Sequence, residues 1–156
     1  MKAISFLLLG SLILVACSPS EQAASQVEQP APTRFKLAGD VKHTMLWVLD
    51  PAADFVWGSA GSIITAEGTR ELAPTTDEGW LAVQHSAAVV AETGNLLLLP
   101  GRARDKAWQD ISLGLVDAGL RAQAAAAAHD EDALFDAGGQ IYQVCKSCHA
   151  IYVVDE

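Results

Sequence analysis

From Asp40 onward the apolar residues of this chain fall at spacings of three and four, the period of a helix with one buried face. Met45, Val48, Leu49, Ala52, Phe55, Val56 and Ser59 share such a face and predict a first helix over Asp40–Ile64. Pro51 lies inside it. A proline has no N–H to donate and crowds the preceding turn, so a kink or break is expected near Asp50. The second helix has a start signal. Thr75 and Glu78 stand at capping-box spacing, and Asp77 adds negative charge to the first turn. Trp80, Val83, Ala87 and Val90 then point inward, and the segment ends before Pro100-Gly101. The third helix spans Lys106–Ala128 with Asp105 as its cap. Its stripe is Trp108, Ile111, Leu115, Ala118 and Ala122, and the run from Ala124 to Ala128 is strongly helix-forming. The fourth follows Asp130-Glu131-Asp132 and gathers Leu134, Gly138, Ile141, Cys145, Cys148 and Tyr152 on one face.

No alternating Val, Ile and Thr pattern stands out between these segments, which favours helix over sheet. Connections of about ten residues or fewer favour antiparallel neighbours. The expectation is therefore an all-α domain over residues 39–156, an up-down-up-down four-helix bundle. Gly138 and Gly139 are costly inside a helix. They are expected to make room either for a bound group or for a neighbouring helix, two readings the sequence leaves level.

The chain before this domain reads differently. Lys2 and the apolar run from Phe6 to Val15 have the order of an export signal, and the run is short for a membrane span. It ends Leu14-Val15-Ala16-Cys17, which resembles the bacterial lipobox, with residues 1–16 as the signal. That resemblance implies cleavage before Cys17 and its lipidation, giving a periplasm-facing lipoprotein of a Gram-negative bacterium. Ser18 after the cysteine leans towards the outer membrane. An ordinary signal peptide with a chance cysteine is the plainer alternative. Residues 17–38 then form a lipidated N-terminus and a linker rich in Ser, Gln, Ala, Glu and Pro. Such a coil reaches on the order of 25 Å.

Charge narrows the partners. The formal balance is −9, and loss of Lys2 with the signal deepens it by one. A negative surface disfavours nucleic acid and anionic lipid head groups. It suits fast, salt-sensitive docking to a redox partner with a basic surface, although plain solubility explains it equally well.

The candidate chemistry sits near the C-terminus. Cys145-Lys146-Ser147-Cys148-His149 is the Cys-x-x-Cys-His pattern of covalent c-type haem attachment. Thiols three positions apart share one side of a helical turn, so each can add to one haem vinyl group. The imidazole beside them can reach the iron. Redox dithiols and zinc knuckles also use Cys-x-x-Cys. The chain has three cysteines, however, and Cys17 is explained by the lipobox. No second Cys/His pair completes a zinc site, and no βαβ pattern suits a thioredoxin-like site. The cofactor expected is one covalent haem c with its iron, held by Cys145, Cys148 and His149. Export fits this, because bacterial c-type haems are attached outside the cytoplasm.

Four helices with this motif on the last one resemble the cytochrome c-prime class of four-helix cytochromes. Cys145-Lys146-Ser147-Cys148-His149-Ala150-Ile151-Tyr152 matches that class's Cys-Lys-x-Cys-His-x-x-Tyr ending. The stretch from Met45 to Trp57, Thr76 to Trp80 and Asn95 to Gly101 are also similar to exported bacterial cytochromes c. Val153 departs from the basic residue common there. The resemblance implies either of two arrangements. In one, a methionine of the first helix completes the iron's coordination and the protein carries electrons. In the other, that side is apolar and open, and small gases such as NO bind. Met45 is the only methionine outside the signal and lies on the first helix, so it is the candidate sixth ligand. An ordinary core role is its alternative. His43, His85 and His129 are rival ligands. The resemblance also allows a homodimer. The expectation is a lipid-anchored periplasmic electron carrier, with gas binding as the alternative and a structural subunit of a respiratory complex as a weaker third. No acid–base or nucleophilic constellation is visible, so no enzymatic activity is expected.

Overall fold

The computed structural model describes residues 35–153, which belong to one unit and are mostly helical. The signal, the lipobox with Cys17 and nearly all of the linker lie outside the described residues. Chain order is α1 (Val41–Thr44), a π-helical turn (Met45–Leu49), α2 (Asp50–Trp57), β1 (Ser62–Thr65), β2 (Gly68–Glu71), α3 (Asp77–Leu97), α4 (Lys106–Ala128) and α5 (Glu131–Tyr152).

The first helix is three pieces in one run. Asp40 caps it by accepting from the His43 N–H at 2.8 Å. The disturbance expected at Asp50 takes the form of a wider turn rather than a break. Asp50 N–H donates to the Met45 carbonyl, five residues back, just before Pro51. Pro51 can donate nothing to the preceding turn, and a π-turn loosens the helix where its ring must fit.

The sequence expectation that this helix continues to Ile64 is overturned. It stops at Trp57, and Ser62–Glu71 forms a two-stranded antiparallel hairpin, with Ser62 opposite Glu71 and Thr65 opposite Gly68. The reason is local. Gly58 ends the helix, Gly61 takes φ +76, Gly68 takes φ +138, and the Ile63-Ile64-Thr65 run favours an extended chain. The hairpin packs little, and Ile64 is 79 % exposed. Phe55 also departs from its expected buried face and is 46 % exposed.

The three long helices follow the sequence closely. The cap of α3 is Thr76 rather than Thr75, its hydroxyl accepting from the Gly79 N–H at 3.1 Å. A Cβ on Gly79 would stand 2.8 Å from Pro74, so this glycine lets the entering chain close over the first turn. Asp105 and Asp130 cap α4 and α5 through the N–H groups of Trp108 and Ala133. The α4 helix ends on His129 in the left-handed region, φ 53, with its ring stacked on Trp80.

The first helix packs on α3 and α5, α3 on α4, and α4 on α5. Val56, Val83, Val90, Leu134 and Ile141 are fully buried between them. Burial of side chains this size contributes roughly 1.5–3 kcal/mol each. Glycine sets the closest approach. A Cβ at Gly119 would lie 2.5 Å from the Ala91 backbone nitrogen, and one at Gly94 would lie 2.6 Å from the Ser112 carbonyl oxygen. Gly138 makes room for a neighbouring helix, since a Cβ there would meet the Trp57 ring at 3.2 Å. Gly139 meets nothing within 4 Å.

These glycines respond oppositely to alanine. Gly139→Ala gains helix propensity and raises stability by up to about 1 kcal/mol. Gly119→Ala gains the same propensity but forces α3 and α4 apart, so it lowers stability by about 1–3 kcal/mol. Urea unfolding midpoints of the two variants check this.

Candidate functional site

The C-terminal half of α5 carries the candidate residues. Leu134, Gly138 and Ile141 are buried on its inner face, and the same face emerges further along, leaving Cys145 and Cys148 half-buried and His149 exposed. The reason is the neighbours. Beyond Ile141, one side of α5 still packs on α4, where Tyr152 meets Trp108, while the other faces the first helix across a gap.

That gap is a cleft of about 750 Å³. Met45, Leu49 and Trp57 form its first-helix wall, and Cys145, His149 and Tyr142 its α5 wall. A narrower crevice shares Met45, Leu49, Cys145 and His149 and adds Cys148, Leu97 and Leu115. The structure thus brings Met45, Cys145, Cys148 and His149 around one space, although 100 residues separate Met45 from Cys145 in the chain. The other histidines lie elsewhere. His43 is held by Asp40 with its ring tilted against Trp47, His129 lies on Trp80, His85 is exposed on α3, and none lines the cleft.

Both thiols are free, and burial pushes the pKa of each upward, Cys145 with a further rise from the neighbouring Cys148. A raised thiol pKa lowers the share of thiolate available for disulfide exchange. Among the described residues no three His, Cys, Asp or Glu side chains converge to hold a metal ion by themselves. Two thiols, one imidazole and one thioether stand around the cleft and its crevice, and Asp50, Lys146 and Tyr142 also line the cleft. Among the described residues no helix is long and apolar enough to cross a membrane.

Sequence reasoning underrated two neighbours of the cleft. The Trp57 indole N–H donates to the Gly138 carbonyl at 2.9 Å and meets Tyr142 edge-on, fixing the first helix against α5. The pairing of a large residue with a helical glycine was the available signal. Beyond His149, Tyr152 ties the end of α5 to the start of α4. Its hydroxyl donates to Asp105 Oδ1 at 2.5 Å, its ring meets Trp108 edge-on, and the Arg104 guanidinium covers both rings.

No protein-family model, no curated protein and no solved structure matches this chain. What the cleft does is therefore argued from its own residues.

The Tyr152–Asp105 contact is pH-dependent at both ends. The Tyr152 hydroxyl, followed by the Trp108 N–H, holds the Asp105 carboxyl below the ordinary range, and the same bond raises the tyrosine. The aspartate's contribution is present above about pH 3.9 and is lost as pH falls through its lowered value. The tyrosine's contribution is whole below about pH 10 and is lost as pH rises through its raised value. Near-ultraviolet circular dichroism of Trp108 and Tyr152 is expected to hold steady between these limits and change outside them. Tyr152→Phe removes the alkaline change and keeps protonation of Asp105, which still accepts from Trp108, as the acid one.

Proposed function

We propose that this protein is a lipid-anchored periplasmic c-type cytochrome that carries single electrons through one covalently bound haem. The observation that carries the reading is that Met45 lines the same cleft as Cys145 and His149. The donor set suits a porphyrin, which brings four nitrogens of its own and asks the protein only for axial ligands and anchors. Cys145 and Cys148 would hold the haem through thioethers, His149 would bind the iron, and Met45 would complete its coordination. When bound, the haem supplies a one-electron iron couple.

The chain's own residues do the rest. Cys145 and Cys148 stand three positions apart on α5, so each can add its S–H across one haem vinyl group. A thioether ligand raises the reduction potential relative to an open or imidazole-bound site. Leu49, Leu97 and Leu115 exclude water beside Met45 and keep the local dielectric low. The helices would form the up-down-up-down bundle that the resemblance to cytochrome c-prime implies. The excess of acidic residues suits brief docking on a basic redox partner. A second reading draws on the apolar lining of the crevice, which would also suit an open iron face that binds a small gas such as NO.

The spectrum of protein matured in a host with a c-haem assembly system separates these. A pyridine haemochrome with both vinyl groups saturated is expected. The oxidised protein should be low-spin, and Met45→Ala should turn it high-spin and lower its potential by part of the roughly 0.8 V that axial ligands span. A high-spin spectrum unchanged by Met45→Ala would favour the gas-binding reading. Colourless protein with both thiols alkylatable would end the haem reading altogether.

Cys17 is the proposed anchor, on the outer membrane in preference to the inner. Cys17→Ser is expected to move the protein from the membrane fraction to the soluble periplasm. Retention of the variant in membranes would remove the anchor from the proposal.

A further inference from the structure

Arg102 is the one charged side chain buried among the described residues, at 6 % exposure. Its Nη2 donates to the Gly39 carbonyl at 3.0 Å, and its Nη1 donates to the Leu96 carbonyl at 3.3 Å. Among the described residues its Nε has no partner. A guanidinium carries five N–H donors, so most of this one's capacity is unused. Among the described residues no carboxylate pairs with it. Asp40, next to Gly39 in the chain, is engaged by His43. The two carbonyl bonds pin the chain entering α1 to the end of α3. A neutral amide could make them too, so they do not explain a buried positive charge, which is costly without a counter-charge.

Beside Arg102 lies a cavity of about 190 Å³. Its walls are mainly Leu37, Trp47, Val48, Leu96 and Leu99, and Lys36 adds a second cation. Among the described residues no acidic side chain lines it, in a chain whose formal charge is −9. The cavity shares no residue with the cleft around His149, so the two are separate places on the molecule.

We propose that this cavity binds a small organic carboxylate with an apolar body, of the short fatty-acid class. The planar guanidinium matches a carboxylate, and burial strengthens a charge-assisted hydrogen bond. The hydrocarbon lies against Leu37, Trp47 and Leu99. Phosphate fits less well, because a dianion without an apolar body would leave these walls unused. The site thus combines a small number of polar groups with mostly apolar walls, the usual make-up of a small-molecule pocket.

Hexanoate tests this on the full-length protein, followed by nuclear magnetic resonance at the Arg102 Nε–H and the Trp47 indole N–H. Hexanoate is expected to shift both saturably. Hexanol, which keeps the body and drops the charge, should bind at least about tenfold more weakly. Lys36→Gln, on an exposed residue, should weaken hexanoate severalfold with the fold intact, and Arg102→Gln should abolish its binding. If Arg102→Gln does not fold, the alcohol comparison and Lys36→Gln decide. The proposal is overturned if hexanoate gives no saturable shift, if hexanol binds as tightly, or if inorganic phosphate gives the same shifts at lower concentration.

Discussion

The far end of the first helix is fixed against α5 at Trp57 and Gly138, and the cleft opens beside that contact. The Trp57 indole lies on Gly138 and donates to that residue's carbonyl oxygen. Any side chain at Gly138 would meet the ring at 3.2 Å and require it to yield. The hydrogen bond contributes about 1 kcal/mol net, and the ring adds apolar burial. Its position matters more than its strength. It pins the far end of the first helix and leaves the end near Met45 spaced from α5. The candidate ligands face each other where the helices are apart, not where they touch.

Much of the fold could be read in advance where local signals agreed with each other. Stripe, cap and stop coincide in α4 and α5, and these elements begin and end where Asp105, Asp130 and Ala128 place them. The signals failed where two local preferences competed. At the start of α3 two adjacent threonines could cap, and packing of Pro74 over Gly79 selects the second. After Trp57 the helical spacing continues by coincidence through Ser59, while glycines and β-branched residues favour a hairpin. A four-residue strand with exposed side chains has no alternation strong enough to read, because neither of its faces is buried.

The site divides in the same way. Cys145, Cys148 and His149 are legible because their chemistry needs only one helical turn. Met45 depends on how two distant helices pack, and chain position alone could nominate it but not bring it to the cleft. Arg102 gave no signal in sequence, since a basic residue after Pro100-Gly101 is unremarkable in a loop. Only its burial, with two carbonyl bonds and an unpartnered Nε, sets it apart.

The π-turn links the two places. Met45 and Leu49, its end residues, line the cleft, while Trp47 and Val48, between them, line the cavity beside Arg102. A regular α-helix is a rigid rod at this length. A widened turn before a proline has a nearby alternative, the ordinary α-turn, reached by exchanging one hydrogen-bond partner. An occupant that packs on Trp47 and Val48 influences Met45 only if it prefers one form of this turn. If it does, linkage makes the effect reciprocal, and ligation at Met45 changes affinity beside Arg102 by the same factor. An occupant indifferent to the turn would bind without any effect on the cleft. The five residues from Met45 to Leu49 are therefore where the chemistry of one site can reach the other.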